Sequence, residues 1–298
     1  MEKRILGKTG MQVSVLGFGG AEIGFQGTSS KMVQEILSSA LDAGLNVIDT
    51  AECYQGSEEV IGSALSHRRS DYYLFTKCGH GARYDIQEWS PEQVERSIDR
   101  SLKRLRTDYL DLIQLHSCDE QILRQGLVIE TLQKAKKSGK ARYIGYSGDG
   151  QAARYAIECG AFDTLQTSIS IADQEALELT LPLAVEKQMG VIAKRPIANA
   201  AWRTKSKPTD PYLHPYWDRI QQLNYSFING NLGESIGMAL RFTLSVPGVH
   251  TAIVGTTKPG RWQENATMIA RGPLNTEEFE AIRRTWKSRA KSDWIGQV

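Results

Sequence analysis

The sequence predicts a (β/α)8 barrel. Short apolar runs of β type alternate eight times with segments of helical spacing. Such alternation means parallel strands, and eight units are enough to close a barrel. The doubly wound open sheet is the structural alternative, but no G-x-G-x-x-G fingerprint follows the first strand. The chain has 298 residues, more than the usual domain of about 100–150 residues but a length one large barrel fills. No linker or low-complexity stretch divides it, so residues 1–298 are read as one domain.

The elements follow in order. Residues 3–13, KRILGKTGMQV, hold two short apolar stretches around Gly7 and Gly10, a hairpin ahead of the barrel. The first barrel strand is VLGFG at 15–19. A helix over 30–43 carries Met32, Val33, Ile36, Leu37, Ala40 and Leu41 on one face. The second strand, 46–49, leads to a helix at 57–66, and YYLFT at 72–76 is the third strand. In SPEQVERSIDRSLKRLR, Ser90 is placed to cap a helix with Pro91 at its first position and Gln93 three residues after the cap. LDLIQL at 110–115 is the fourth strand, followed by a helix over 128–138 that Gly139 ends. ARYIGYS, ending at Ser147, is the fifth, with a helix at 151–159. TLQTS at 164–168 and VIAK at 191–194 flank a helix at 176–189. A helix at 232–245, TAIVG at 251–255 and a helix at 259–269 complete the eight units. Outside them lie the hairpin, a final helix over 276–290, and a connection over 197–231 rich in Trp, Tyr and Pro. A connection of that length without structure is uncommon and usually functional.

Composition excludes several classes. A hydrophobic content of 41% supplies a substantial core, and a net charge of +2 argues for neither a nucleic-acid nor a membrane-surface partner. No apolar run of about 18 residues occurs, so no membrane span is expected. The opening MEKRILGKTG lacks the apolar core of a signal peptide. Cys53, Cys78, Cys118 and Cys159 are then expected as free thiols in a reducing, cytoplasmic setting. No Cys-x-x-Cys spacing appears, so no zinc site is expected.

Catalytic residues of such barrels sit at the C-terminal ends of strands. Asp49 ends the second strand, Lys77 the third and His116 the fourth, and Tyr54 lies in the loop after the second. An acid, a lysine, a histidine and a phenol therefore meet at one mouth. This set suits carbonyl reduction. Hydride addition leaves negative charge on the carbonyl oxygen, and that oxygen must take a proton. A phenol is a weak acid, with a pKa of about 10, and a neighbouring ammonium lowers it. Asp49 would hold Lys77 charged, Tyr54 would give the proton and His116 would orient the carbonyl oxygen. Singly, each has an ordinary reading: a turn aspartate, a solvated lysine, a core histidine, a packing tyrosine. Jointly, at three successive strand ends, they favour the functional one.

These residues also carry a resemblance. VIDTAECYQGSEEVIG, FTKCG and LDLIQLHS resemble, in that order, the acid–tyrosine, lysine and histidine motifs of the aldo-keto reductases, and the likeness extends over essentially the whole chain. It implies that Asp49, Tyr54, Lys77 and His116 are a catalytic tetrad. It also implies NADPH, sometimes NADH, as cofactor without a Rossmann domain, and a small-molecule carbonyl substrate.

The phosphate side of the cofactor is legible in parallel. Barrels often bind phosphate with the loops after strands seven and eight. The last offers Gly255, Thr256, Thr257, Lys258 and Arg261 at a helix N-terminus, which favours anions; an ordinary capped turn is the other reading. The resemblance places the adenosine 2′-phosphate near Thr256 and Arg261 and the adenine near Glu264 and Asn265. Ser147 and Gln166 would face the nicotinamide carboxamide, and Gly20 and Pro196 complete the cofactor set. Three departures stand out. Gly148 and Asp149 follow Ser147 where the family usually has Asn. Lys194 and Arg195 precede Pro196 where many members place an aromatic residue; the Arg195 guanidinium could lie on the ring, and either residue could meet a phosphate. Gly255 stands where many NADPH-using members have lysine. Phe25, Trp89 and Trp202 are the expected substrate contacts. A thiol beside Lys77 could be reactive, though cysteine as a small packing residue is the simpler account. Two other functions fit parts of the pattern: a lyase or isomerase using Lys77 as a Schiff base, which leaves the Asp49–Tyr54 spacing unexplained, and a cofactor-binding sensor with little turnover.

Overall fold

The computed structural model describes residues 1–80 and 87–297. The expected hairpin is present: β1 (Lys3–Ile5) and β2 (Gln12–Ser14) pair antiparallel. β3 (Leu16–Gly19) leads through the short α1 (Ala21–Phe25) to α2 (Ser30–Asp42), then β4 (Val47–Asp49), α3 (Ser57–Leu65), β5 (Tyr73–Cys78) and α4 (Pro91–Leu105). β6 (Leu110–His116) follows, then α5 (Glu120–Gln125), α6 (Leu127–Lys137), β7 (Ala141–Ser147), α7 (Gly150–Glu158) and β8 (Thr164–Ser168). α8 (Ala176–Leu179), α9 (Leu181–Glu186), β9 (Gly190–Lys194), α10 (His214–Leu223), α11 (Leu232–Ser245), β10 (Thr251–Val254), α12 (Arg261–Ile269) and α13 (Thr276–Arg289) end the series. Strands β3 to β10 are parallel and close in the order β10-β3-β4-β5-β6-β7-β8-β9.

Local chemistry explains most boundaries. Ser29 caps α2 by accepting from the Met32 amide, and Val33, Ile36, Leu37, Ala40 and Leu41 are buried, while Met32 stays exposed rather than joining that face. Ser90 accepts from the Gln93 amide at 3.1 Å, as its spacing predicts. Asn275 and Glu278 form a reciprocal cap on α13. Two expectations change. The helix expected at 176–189 is two short ones, because Thr180 leaves helical geometry and Pro182 opens the second. The connection over 197–231 is not structureless: it holds α10, with Pro215 in its first turn and Tyr216, Ile220 and Leu223 buried.

Side chains at alternate strand positions line the barrel interior. At the lower end Val47, Phe75, Leu112, Ile192 and Ile253 form an apolar plug, and Leu6, Met11 and Val13 of the hairpin seal it. Two residues further along three strands, the same face becomes polar: Asp49 after Val47, Lys77 after Phe75, Gln114 after Leu112. Outside, α3 packs on α4 through Gly62. A Cβ there would fall 2.1 Å from the Arg104 carbonyl oxygen. Gly62→Ala is therefore expected to destabilise the fold by about 1–3 kcal/mol. Denaturant midpoints of the two proteins measure this, and an unchanged midpoint would show that the helix pair relaxes freely.

Candidate active site

Asp49 and Lys77 meet in a salt bridge at the top of the barrel, each side chain only 1% exposed. Strand register places Lys77 beside Gln114, and His116 beside Ser147. Lys77 also donates to the Thr50 carbonyl at 2.8 Å. The second Asp49 oxygen accepts from Gln166 at 2.8 Å and Gln114 at 3.3 Å. Ser147 Oγ donates to Gln166 Oε1 at 3.2 Å. Ser147 and Gln166 are thus together in the polar layer around Asp49.

The loop bearing Tyr54 is held from several sides. The Thr50 and Glu52 amides continue the ladder to the Phe75 and Lys77 carbonyls. The Glu52 carboxylate is gripped by Ser97 and Arg100 of α4. Ser57 Oγ, at the start of α3, pairs with Thr50 Oγ1 and donates to the Gly20 carbonyl at 2.7 Å. A Cβ on Gly20 would fall 2.8 Å from that Oγ, so glycine lets β3 approach here. Held this way, the Tyr54 ring lies 5.1 Å from the Lys77 ammonium and edge-on to His116, 5.7 Å away. Phe25 packs 5.6 Å from Tyr54, and Trp89 packs 4.9 Å from His80, which in turn lies 5.1 Å from His116.

Burial governs the proton affinities. It pushes the Tyr54 hydroxyl above the ordinary value of 10, with Lys77 pulling against it and Asp49 and Cys53 adding to it. The sequence predicts a lowered phenol; in the structure desolvation outweighs the ammonium. Burial also opposes the charge on Lys77, but Asp49 and Tyr54 reverse that and raise it. His116 is held well below 6.5, first by burial and then by Lys77, His80, Lys194 and Arg195, so it is neutral at physiological pH. The thiol next to Lys77 is not activated: burial pushes Cys78 well above 9.0, and Cys118 up to about 12.

The departures noted in the sequence have structural reasons. A Cβ on Gly148 would strike the Tyr146 ring and hydroxyl, which leaves no room for a larger residue. Asp149 instead turns into the barrel end, where it accepts from Thr167 Oγ1, the Ser168 amide and Ser168 Oγ and pairs with Lys194 at 2.9 Å. Burial opposes the Asp149 charge, but Lys194 and these donors hold its carboxyl below 3.8. Arg195, in the left-handed region at φ 53°, donates to Tyr212 Oη, Ser168 Oγ and the Gln297 carbonyl. Arg219 pairs with buried Asp173 and donates to the Ile295 carbonyl at 2.7 Å. Two arginines thereby draw the chain end over the mouth, where Gly296 abuts Asp149. Pro196 lies beside this cluster, its carbonyl accepting from Thr243. Trp202, expected as a substrate contact, is buried in the core, and its indole N–H donates to Ser235 Oγ at 2.9 Å.

The loop after β10 fits a phosphate-bearing cofactor by its donor set: two hydroxyls and Lys258 ahead of the nine-residue α12, with Arg261 as its first residue. Thr256 Oγ1 accepts from the Lys258 amide, Thr257 Oγ1 donates to Gln26, and Arg261 pairs with Glu264 at 2.8 Å with its side chain 40% exposed. Asn265 is buried beside them. Gly255 is a cradle that a side chain would fill, since a Cβ would fall 1.6 Å from Glu22 Oε2. Burial pushes the Glu22 carboxyl above 4.5.

Sequence reasoning missed four contributors. Gln114 was detectable, because it stands two residues before His116 on the same strand face. His80, the contact of Cys53 Sγ with His116 Nδ1 at 3.3 Å, and the Asp149–Lys194 pair arise from loops that only the barrel brings together.

A family model described as the Aldo/keto reductase family matches residues 15–287. An L-galactose dehydrogenase of Arabidopsis thaliana is 32% identical, with 90% of this chain and 88% of that protein covered. An uncharacterised oxidoreductase of Bacillus subtilis is 29% identical over 98% of both chains. Among solved structures, the holo form of an aldo-keto reductase from Bacillus halodurans superposes with a TM-score of 0.84 at 28% identity, covering 99% of each chain.

The Asp149 carboxyl contributes full stability above its ordinary value of 3.8, and that contribution is lost as pH falls through the lower folded value. Asp149→Asn leaves Lys194 buried without its counter-charge and is expected to cost about 3–5 kcal/mol at neutral pH. The loss should shrink toward acid pH. A pH series of denaturation midpoints tests both points, and a pH-independent difference would refute the ion pair as its source.

Proposed function

We propose that this chain, which belongs to the aldo/keto reductase family, reduces an aldehyde or ketone to an alcohol with Tyr54 as proton donor and NADPH as preferred cofactor. The observation that carries the reading is the buried Asp49–Lys77 salt bridge beneath Tyr54, with His116 edge-on to the same ring. NADPH is favoured because Lys258 and Arg261 follow the Thr256–Thr257 hydroxyls where the loop after β10 enters α12. The family likeness supports reading this loop as the 2′-phosphate subsite.

The bound nicotinamide supplies the hydride; the protein's residues manage position and proton. Cys53 Sγ lies 3.3 Å from His116 Nδ1; in the tautomer whose Nδ1 accepts from that thiol, the neutral ring carries its proton on Nε2 and offers it to the carbonyl oxygen. That hydrogen bond polarises the carbonyl and fixes its direction without a competing charge. Tyr54 Oη releases its proton to the oxygen as negative charge develops there. The Lys77 ammonium stabilises the phenolate that remains, and Asp49 keeps Lys77 charged. Because Tyr54 is fully protonated through neutral pH, kcat for reduction should stay level there and fall only at alkaline pH above 10, the ordinary phenol value.

Purified protein with NADPH or NADH and a panel of aromatic aldehydes, ketones and sugars tests the reading through loss of the reduced-nicotinamide absorbance. The relative named L-galactose dehydrogenase makes sugars worth including, with L-galactose assayed in the oxidative direction. Tyr54→Phe is expected to lower turnover about a hundred- to ten-thousand-fold with cofactor affinity nearly unchanged; near-wild-type turnover would remove Tyr54 as the acid. Arg261→Ala is expected to weaken NADPH about ten- to a hundredfold, the worth of a charge-assisted hydrogen bond, with little effect on NADH. Equal weakening of both nucleotides would argue against a 2′-phosphate contact. A second reading, a cofactor-binding sensor with little turnover, draws on the burial that holds the Tyr54 proton tightly. Tight binding without oxidation across the whole panel would favour it.

A further inference from the structure

We propose that Cys53, His80 and His116 form a site for a divalent metal ion of the zinc class, and that the bound ion blocks the catalytic mouth. One ligand atom from each of the three lies within 4.8 Å of the other two. Cys53 Sγ is already 3.3 Å from His116 Nδ1, and the His80 and His116 rings are 5.1 Å apart. Tetrahedral zinc, with bonds of about 2.3 Å to sulfur and about 2.0–2.1 Å to nitrogen, needs ligand atoms about 3.3–3.6 Å apart. Side-chain rotations that close the remaining gap by about 1 Å complete the site. All three residues are half-buried, so ions reach them from the mouth.

The chemistry matches the geometry. One thiolate and two imidazoles are a borderline-soft set that selects zinc over magnesium or calcium. The ligands come from the loops or ends of β4, β5 and β6, adjacent strands, which is why no Cys-x-x-Cys spacing announces them. Cys53 releases its thiol proton to solvent on binding, with no change of oxidation state. Glu88 Oε1 lies 3.5 Å from His80 Nδ1, the kind of outer carboxylate that orients a metal-binding imidazole. Lys77, Lys194 and Arg195 oppose the ion's charge, and the thiolate offsets part of that, so binding is weaker than in a structural zinc site. Three protein ligands leave the fourth position to water.

The blocking effect rests on the reductase reading: an ion held between Cys53 and His116, with its bound water, occupies the mouth beside Tyr54 where the carbonyl must enter, and fixes the His116 ring toward Cys53. Metal binding itself does not depend on that reading, so it is read separately. Co2+ titrated into the full chain under reducing conditions should give a near-ultraviolet thiolate-to-cobalt absorption and tetrahedral visible bands, saturating at one ion per chain. Zn2+ should abolish them by displacement. Cys53→Ser should lose the thiolate band, and His80→Gln should weaken binding about tenfold or more. Circular dichroism checks that each variant folds, and either variant alone keeps the test decisive. No thiolate band at cobalt excess, or a band that persists in Cys53→Ser, overturns the site. Zn2+ should also lower turnover of wild-type protein, with recovery on adding a chelator and a half-inhibition concentration raised about tenfold in His80→Gln. Metal binding with unaltered turnover overturns the blocking role. A metal-free protein that oxidises no cofactor counts against the reductase reading alone, since the cobalt spectrum still decides the site.

Discussion

The Lys77–Asp49 pair is the constraint around which the upper half of the barrel is arranged. Two full charges buried to 1% exposure carry a desolvation penalty of several kcal/mol per ion, which attraction offsets only when the remaining donors and acceptors are satisfied. Three alternate strands of the barrel meet that demand. β6 supplies Gln114 and β8 supplies Gln166 to the second Asp49 oxygen, while the backbone after β4 turns its Thr50 carbonyl toward Lys77. The apolar plug below, sealed by the hairpin, keeps water from entering at the other end. A polar layer one step above an apolar one is therefore a requirement of the pair.

The same burial divides the work between the two proton-bearing groups above it. Desolvation disfavours whichever form is charged. It keeps Tyr54 protonated and His116 unprotonated, and the cluster of cations reinforces the second effect. In the proposed reduction the phenol retains a proton to give, and the imidazole directs an oxygen without acting as an acid. A more solvated mouth would blur that distinction, because both groups would move back toward their ordinary values.

Much of this was legible in the sequence. Val47–Asp49, Tyr73–Cys78 and Leu110–His116 are largely apolar runs in which Asp49, Lys77 and His116 fall at or next to the C-terminal end, and a parallel barrel turns that position directly into a site. The parts that were not legible depend on contacts between segments distant in the chain. Nothing in Gly148-Asp149 announces that Asp149 reaches Lys194 in β9. Nothing in Cys53 or His80 shows that they share His116. The aromatic residues of 197–231 suggested a ligand-covering loop, whereas Tyr216, Ile220 and Trp202 are core residues. Tyr216 and Ile220, four apart behind Pro215, were an amphipathic helix in plain view. The direction of the Tyr54 shift was also out of reach, since it depends on how much solvent the folded mouth excludes.

The grip of Arg195 and Arg219 on the chain end has an evolutionary consequence. Both guanidiniums seize main-chain carbonyl oxygens, those of Gln297 and Ile295, which every amino acid provides. The path of the terminal segment is thus specified by residues in distant parts of the sequence, not by its own side chains. Its side chains can drift without loss of register, save at Gly296, where Asp149 leaves no space, and at Trp294, which packs on Trp286. The segment is a place where new selectivity can be acquired while the barrel beneath it remains unaltered.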